Sequence, residues 1–171
     1  TQPYDGEHFA TMPEALAEVR RATGLPIVIG EATYTKTGFR PLLEARCADI
    51  LNPDVACCGG ILELKEIAAM AEPFLVAMSP HNYNSTLVAL ASTVHTSATM
   101  PNFIITEYFL PFVEFCDKIS PNQLKPKNGM IELPTAPGLG VDVDEEALRK
   151  FPGKPYSTRK LRHPGDEPGG I

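Results

Sequence analysis

Four ionisable side chains recur at nearly even spacing along the chain. They are Glu31, Asp54, His81 and Glu107, and 23, 27 and 26 residues separate them. Each one follows a short apolar run, so each is predicted to stand at the end of a buried strand. The carboxyl ends of parallel strands meet at one edge of a sheet, where α/β folds usually carry out chemistry. We therefore expect the four side chains to converge on one rim.

Together, these residue types suit the removal of a proton next to a carboxylate. An aspartate beside a histidine fixes the histidine's tautomer and stabilises its protonated form. A glutamate can ligate a hard divalent ion, and such an ion would stabilise an enediolate while His81 handles protons. A structural alternative exists for each residue: a helix N-cap for Glu31, a turn for Asp54, and loop positions for His81 and Glu107.

The intervening sequence predicts alternating helices and strands. Helical spacing is clearest for Ile61, Leu64, Ala68 and Ala71, which share one face. Helices that alternate with short, continuously apolar strands indicate a parallel sheet covered by helices, as in a (β/α) barrel or a doubly wound sheet. No Gly-x-Gly-x-x-Gly or P-loop is present, which argues against a nucleotide-binding sheet. The predicted helices cover 12–23, 37–48, 60–72 and 85–100, and the predicted strands cover 26–30, 49–52, 74–78 and 103–106.

The character of the sequence changes from about residue 111. Pro, Lys and Asn become common, and only a strand over 130–133 and a short helix capped by Asp144 are indicated. We therefore predict two parts. The first, 1–110, carries the strand–helix units, and the second, 111–171, is an extension that packs against it.

Composition excludes several classes of partner. The chain has 171 residues and a formal net charge of −6, without a Lys/Arg run, so nucleic acid is not expected as a partner. No apolar run approaches the roughly 20 residues of a membrane span, and no secretory-type N-terminus is seen. The four cysteines match no zinc pattern and are interpreted as reduced thiols of a cytoplasmic protein.

Several short motifs carry a family resemblance in their order, spacing and flanking residues. The sequence resembles the enolase superfamily, and within it the mandelate racemase and sugar-acid dehydratase branch. The resemblance covers roughly residues 12–108, and 137–141 is similar to the family's C-terminal return. The motifs are Gly30-Glu31, Asn52-Pro53-Asp54-Val55, Gly59-Gly60-Ile61, Ser79-Pro80-His81-Asn82, and Pro101-Asn102-Phe103 with Glu107.

This resemblance implies the second half only of a TIM-type (β/α) barrel. Residues 1–110 correspond to the C-terminal half of the barrel, and 111–171 to an extension that packs on the barrel or on a capping domain. Thr1 stands where the family has a second metal-ligating glutamate, and the first-half ligands have no counterpart. We therefore expect the isolated chain to be inactive. We also expect a homo-oligomer in which the same or another chain supplies the missing half barrel.

The resemblance also implies the reaction and the roles of the site residues. It implies a Mg²⁺-dependent lyase that removes the proton α to the carboxylate of an acid sugar, through an enediolate, and then eliminates water. Glu31 would ligate Mg²⁺, Asp54 and His81 would form the acid–base dyad, and Glu107 would contact the substrate. The candidate substrate-binding residues are Asn82, Tyr83, Asn84, Tyr34 and Lys36.

Two alternatives to the dehydratase remain open. A racemase or epimerase of a hydroxy acid would use the same first half-reaction, and a non-catalytic barrel fragment would need none of these groups. The polar run 82–84 favours a hydroxylated substrate, and hence dehydration, although the same residues suit a turn before the next helix.

Overall fold

The computed structural model describes residues 12–83 and 85–153. Helices and short strands alternate through the first part, as the sequence predicts, and the remaining helices follow residue 110. Among the described residues, none of the helices is both long and apolar enough to cross a membrane. The elements are α1 (Pro13–Thr23), β1 (Val28–Ile29), α2 (Thr35–Glu44), β2 (Ile50–Leu51), α3 (Ile61–Ala71), β3 (Ala77–Met78), α4 (Leu87–Ser97), α5 (Val113–Ile119) and α6 (Glu145–Leu148).

The three strands form a parallel sheet in the order β1-β2-β3. Val28 is in register with Ile50, and Ile50 is in register with Ala77. A single parallel bridge from Met78 to Phe103 continues the order towards the fourth predicted strand. The predicted parallel sheet is confirmed, with strands of only two residues each.

The core lies between this sheet and the helices that cover it. In α2, Phe39, Leu42 and Leu43 recur at helical spacing and are almost fully buried. In α3, Leu64 and Ile67 are completely buried. Each of these two helices thus turns one apolar stripe towards the core that the sheet shares.

All four predicted strands are longer than those observed. The strands predicted over 26–30 and 49–52 shorten to Val28–Ile29 and Ile50–Leu51, and the other two differ further. The prediction for 103–106 is wrong apart from the Phe103 bridge, because those residues form no regular ladder. The prediction for 74–78 is too long, because a 3₁₀ helix, Glu72–Phe74, precedes Leu75, which has a left-handed φ of 60°. Because the chain turns at these residues, β3 begins only at Ala77.

The extension contains one helix that the sequence did not predict. Helix α5 packs on α4 through a small buried cluster of Leu87, Cys116 and Ile119. The strand predicted over 130–133 is reduced to one antiparallel bridge between residues 127 and 130. The predicted cap of α6 is confirmed, since the Asp144 carboxylate accepts the Ala147 N–H at 2.9 Å. The boundary at 110/111 stays a prediction, and a 3₁₀ helix, Leu110–Phe112, crosses it.

Gly30, the residue before Glu31, is packed against the core. Its φ is 125°, and a Cβ built there would lie 2.5 Å from Cε1 of Phe39. Gly30→Ala should therefore lower the free energy of unfolding by roughly 1–3 kcal/mol, as overpacking does. Urea unfolding measures the loss. Gly24→Ala is the matched control, because Gly24 also has a positive φ (64°) but no atom within 4 Å of the added Cβ. Equal losses in the two variants would contradict the predicted clash with Phe39.

Candidate active site

The ends of β2 and β3 bring Asp54 and His81 together. A parallel bridge pairs the two residues, and the His81 N–H donates to the Pro53 carbonyl at 3.1 Å. Nδ1 of His81 lies 2.8 Å from Oδ2 of Asp54, while the Ala56 N–H donates to Oδ1 of Asp54 at 2.7 Å. Because ionised Asp54 can only accept at Oδ2, this contact places a proton on Nδ1 and fixes the ring orientation.

The other ring nitrogen of His81 faces two more carboxylates. Nε2 lies 3.4 Å from Oε2 of Glu31 and 3.6 Å from Oε2 of Glu107. All four residues predicted to share a rim are therefore in one cluster, which we call the His81 cluster (Glu31, Asp54, His81 and Glu107). The convergence that the spacing predicted is confirmed.

This surrounding negative charge acts on the protonation of His81. The hydrogen bond to Asp54 is the largest cause that raises the pKa of His81 above its ordinary value. Burial opposes the rise, because it disfavours the charged imidazolium, and the charges of Glu107, Asp54 and Glu31 add to it. The protonated form of His81 is therefore favoured more than that of an ordinary histidine, and a general acid needs such a proton to donate.

The start of α2, which follows the Glu31 loop, is bonded to the Asp54 loop and to α3. The Thr35 N–H donates to the Cys58 carbonyl at 2.9 Å, and the Lys36 N–H donates to Oε1 of Glu63 at 2.6 Å. The Lys36 ammonium also pairs with Glu63 and Glu66 of α3. We call this set of contacts the loop clamp (Thr35, Lys36, Cys58, Glu63 and Glu66). Glu63 was not singled out from the sequence, because a glutamate in a helix carries no local sign of a partner 27 residues away.

The remaining predicted site residues lie in different surroundings. The ring of Tyr83 is 6.2 Å from the His81 ring, and its side chain is exposed. Tyr34 is exposed at the N-cap of α2, whereas Asn82 is buried. Lys36 belongs to the loop clamp, and Asn84 lies outside the described residues.

Phe109 is a neighbour of the cluster that the sequence did not reveal. Its ring is 4.6 Å from that of Tyr83 and 5.0 Å from that of Phe112. The only local signal is its place two residues after Glu107, in an aromatic and apolar run. Tyr83 therefore lies near His81 and also packs on an aromatic neighbour from the segment after Glu107.

The described residues do not by themselves form a metal centre. Among residues 12–83 and 85–153, no group of three or more His, Cys, Asp or Glu side chains is arranged to hold a metal ion. Glu31 offers one hard oxygen ligand, and Thr1, at the position where a second ligand was expected, lies outside the described residues. A Mg²⁺ site would therefore need ligands beyond those that the structure describes.

Comparisons with known proteins agree with this geometry. A family model described as "Enolase C-terminal domain-like" matches residues 7–147. The chain is 33% identical over 130 residues to a D-xylonate dehydratase from Haloferax volcanii, covering 76% of this chain and 31% of that protein. It is 35% identical over 143 residues to a D-galactonate dehydratase from Ralstonia pickettii, covering 80% and 37%.

A solved structure shows the same likeness in three dimensions. The crystal structure of a mandelate racemase/muconate lactonizing enzyme from Sulfitobacter sp. superposes with a TM-score of 0.79 at 36% identity. It covers 86% of this chain and 37% of the other. The chain thus spans about a third of the length of the curated relatives that it matches.

Proposed function

The chain belongs to the enolase C-terminal domain-like family, and from that premise we propose that the whole protein is an acid-sugar dehydratase. Its fold is the second half of a TIM-type barrel, with the His81 cluster at the carboxyl ends of the strands. The observation that carries the proposal is His81 held between Asp54 on Nδ1 and two carboxylates near Nε2.

In this proposal His81 acts as the general acid that completes dehydration. Protonated His81 gives its Nε2 proton to the β-hydroxyl, the C–O bond breaks with its electron pair, and water leaves. Asp54 stabilises the imidazolium before the transfer through the Nδ1 hydrogen bond. The two carboxylates near Nε2 favour a proton on that nitrogen, at the edge of the imidazole ring where the substrate's β-hydroxyl would lie.

The proposal assigns Glu31 as one carboxylate ligand of Mg²⁺, the ion that enolase superfamily members generally use. Mg²⁺ would stabilise negative charge that develops on the substrate carboxylate. The other ligands, and the group that removes the α-proton, would come from outside the described residues. The partner in this proposal is a second copy of the same protein or the remainder of the barrel.

Substrate contacts in the proposal come from the exposed side of the cluster. Glu107 has a half-exposed carboxylate, and Tyr83 presents an exposed ring beside His81. Tyr34 and Asn84 remain candidate contacts for the hydroxyls of an acid sugar. Lys36 is left out, because the loop clamp already neutralises its ammonium with Glu63 and Glu66.

A racemase or epimerase is the second candidate. The structural likeness to a mandelate racemase/muconate lactonizing enzyme favours a racemase. In that reaction the same histidine would return a proton to carbon instead of oxygen. The names of the two curated relatives favour dehydration. A non-catalytic barrel fragment is the candidate from a different class.

A sugar-acid panel separates the three candidates. The full-length protein should convert at least one aldonic acid to a 2-keto-3-deoxy acid in Mg²⁺, and EDTA should abolish the reaction. A racemase would instead exchange the α-hydrogen for deuterium in D₂O without losing water. The isolated 171-residue chain should show no turnover. The absence of any Mg²⁺-dependent reaction in the full-length protein would favour the non-catalytic fragment.

A further inference from the structure

We propose that Asn82 is a positioning residue that holds the Glu107 carboxylate against Nε2 of His81. The sequence suggested a substrate contact for Asn82. In the structure it is only 2% exposed, and its contacts are with Glu107. The kinetic part of this inference rests on the proposed function, and the structural part does not.

Asn82 contacts Glu107 at two points. Its backbone N–H donates to Oε2 of Glu107 at 2.9 Å, and its side-chain Nδ2 donates to the Glu107 carbonyl at 3.4 Å. Oε2 is also the Glu107 oxygen that lies 3.6 Å from Nε2 of His81. The oxygen that faces the histidine is therefore the one that the Asn82 backbone N–H holds. The Asn82 side chain holds the main-chain carbonyl of the same glutamate, and this is the contact that a substitution removes.

The need for such a residue follows from the short pairing of the fourth segment with β3. That pairing is the single Met78–Phe103 bridge, in which the Ile104 N–H donates to the Met78 carbonyl at 3.0 Å, and Pro80 has no N–H to extend it towards Glu107. The local links are a Thr106 hydroxyl that donates to the Pro80 carbonyl at 2.7 Å and a long Glu107 N–H contact, 3.5 Å, to the same oxygen. Both of these hydrogen bonds end on the Pro80 carbonyl. The side-chain amide of Asn82 is therefore a separate attachment that holds the Glu107 backbone.

The orientation of the Asn82 amide follows from its partner. A carbonyl oxygen of Glu107 attracts an NH₂ group and repels an oxygen, so Nδ2 must face it. A side chain of the same size without the NH₂ group cannot make this bond. Asn82→Leu therefore keeps the number and branching of the side-chain heavy atoms and lacks the donor, while Asn82→Ala removes the amide group altogether.

Asn102 provides matched control variants. It is another asparagine whose Nδ2 donates to main-chain carbonyls, those of Ala68 and Val76, at 3.1 and 3.0 Å. The bond to Val76 joins the same two segments at the start of β3, at the opposite end from the His81 cluster, and the bond to Ala68 joins residue 102 to α3. Asn102→Ala and Asn102→Leu thus remove an equivalent amide without touching Glu107.

The test uses crystal structures and kinetics of the full-length protein. In the Asn82 variants, Oε2 of Glu107 should move away from Nε2 of His81, and kcat/KM on the best sugar acid should fall about tenfold or more. The Asn102 variants should lower Tm and keep both the Glu107 position and kcat/KM.

Two outcomes would overturn the proposal. One is a Glu107 carboxylate that keeps its place in Asn82→Leu, the variant that keeps a branched side chain at this buried position if Asn82→Ala does not fold. The other is an equal loss of kcat/KM in the Asn82 and Asn102 variants. If the wild-type protein converts no sugar acid, the proposed function fails, and the crystal structures alone decide the role of Asn82.

Discussion

Replacing His81 by Asn should lower kcat of the full-length protein by roughly 10²–10⁴-fold, the contribution that a positioned general acid typically makes. Asparagine can still hydrogen-bond to Asp54, but its amide cannot carry a proton to a leaving hydroxyl. The loss should therefore appear in kcat, with a smaller change in KM. Steady-state kinetics on the best substrate of the sugar-acid panel measure both.

His95→Asn is the control for this exchange. His95 lies in α4, and its Nε2 is 3.1 Å from the Leu139 carbonyl, a contact between the helix and the extension. The same substitution there should cost some stability and leave kcat unchanged. Full activity in His81→Asn would show that His81 is not the proton donor.

Asp54→Asn should be nearly as damaging, although it changes one atom. The Ala56 N–H donates to Oδ1 of Asp54 at 2.7 Å, so the carbonyl oxygen of an asparagine would be held at that position. Its NH₂ group would then face Nδ1 of His81, where the proton normally lies. The imidazole would have to move its proton to Nε2 and could not become positively charged without placing two donors together. We expect kcat to fall roughly 10²-fold or more, as in other dyads left in the wrong tautomer.

The same variant should alter how stability depends on pH. The pKa of His81 is raised above its ordinary value, chiefly by Asp54, so the charged pair favours the folded state. This contribution is fully present below the unfolded pKa, about 6.5, and is lost as pH rises through the folded pKa. Urea unfolding between pH 5.5 and 9 should show that decline in the wild-type protein and a weaker one in Asp54→Asn. If the free energy of unfolding changed equally with pH in the two proteins, the stabilising pair of Asp54 and protonated His81 would be contradicted.

The meeting of the four side chains was predictable because it depends only on where the strands end and on the strands being parallel. Short apolar runs before Glu31, Asp54 and His81 predict buried strands, and helices between them require those strands to be parallel. Parallel strands then place their last residues on one rim without any knowledge of loop conformation. The side chains that the sequence placed correctly are those whose positions follow from the strand ends.

The fourth strand shows where this reasoning stops. Residues 103–106 have strong strand propensity, yet Ile104 and Ile105 are 54% and 63% exposed in the described chain. A strand is stabilised by pairing on its edges and by packing of its faces, and neither can be read from the run itself. Glu107 still reaches the cluster, through contacts with Asn82 and Pro80 that only the tertiary structure reveals.

Asn82 illustrates a second limit of sequence reasoning. A polar residue directly after a catalytic histidine suggests a substrate contact, because polar side chains at a rim are usually exposed. Its burial depends on how the chain from 85 to 112 folds over it, which local sequence does not specify. Helix α5 shows the same limit. Its apolar residues are buried by contact with α4, and the local sequence does not show that the two helices are neighbours.

The loop clamp makes the Glu31 loop and the Asp54 loop open as one unit. Thr35, the first residue of α2, is bonded to Cys58 in the Asp54 loop, and Lys36 is bonded to Glu63 of α3. Local unfolding at the start of α2 would therefore break contacts to the Asp54 loop, and we expect the proposed metal ligand and the partner of His81 to be lost together.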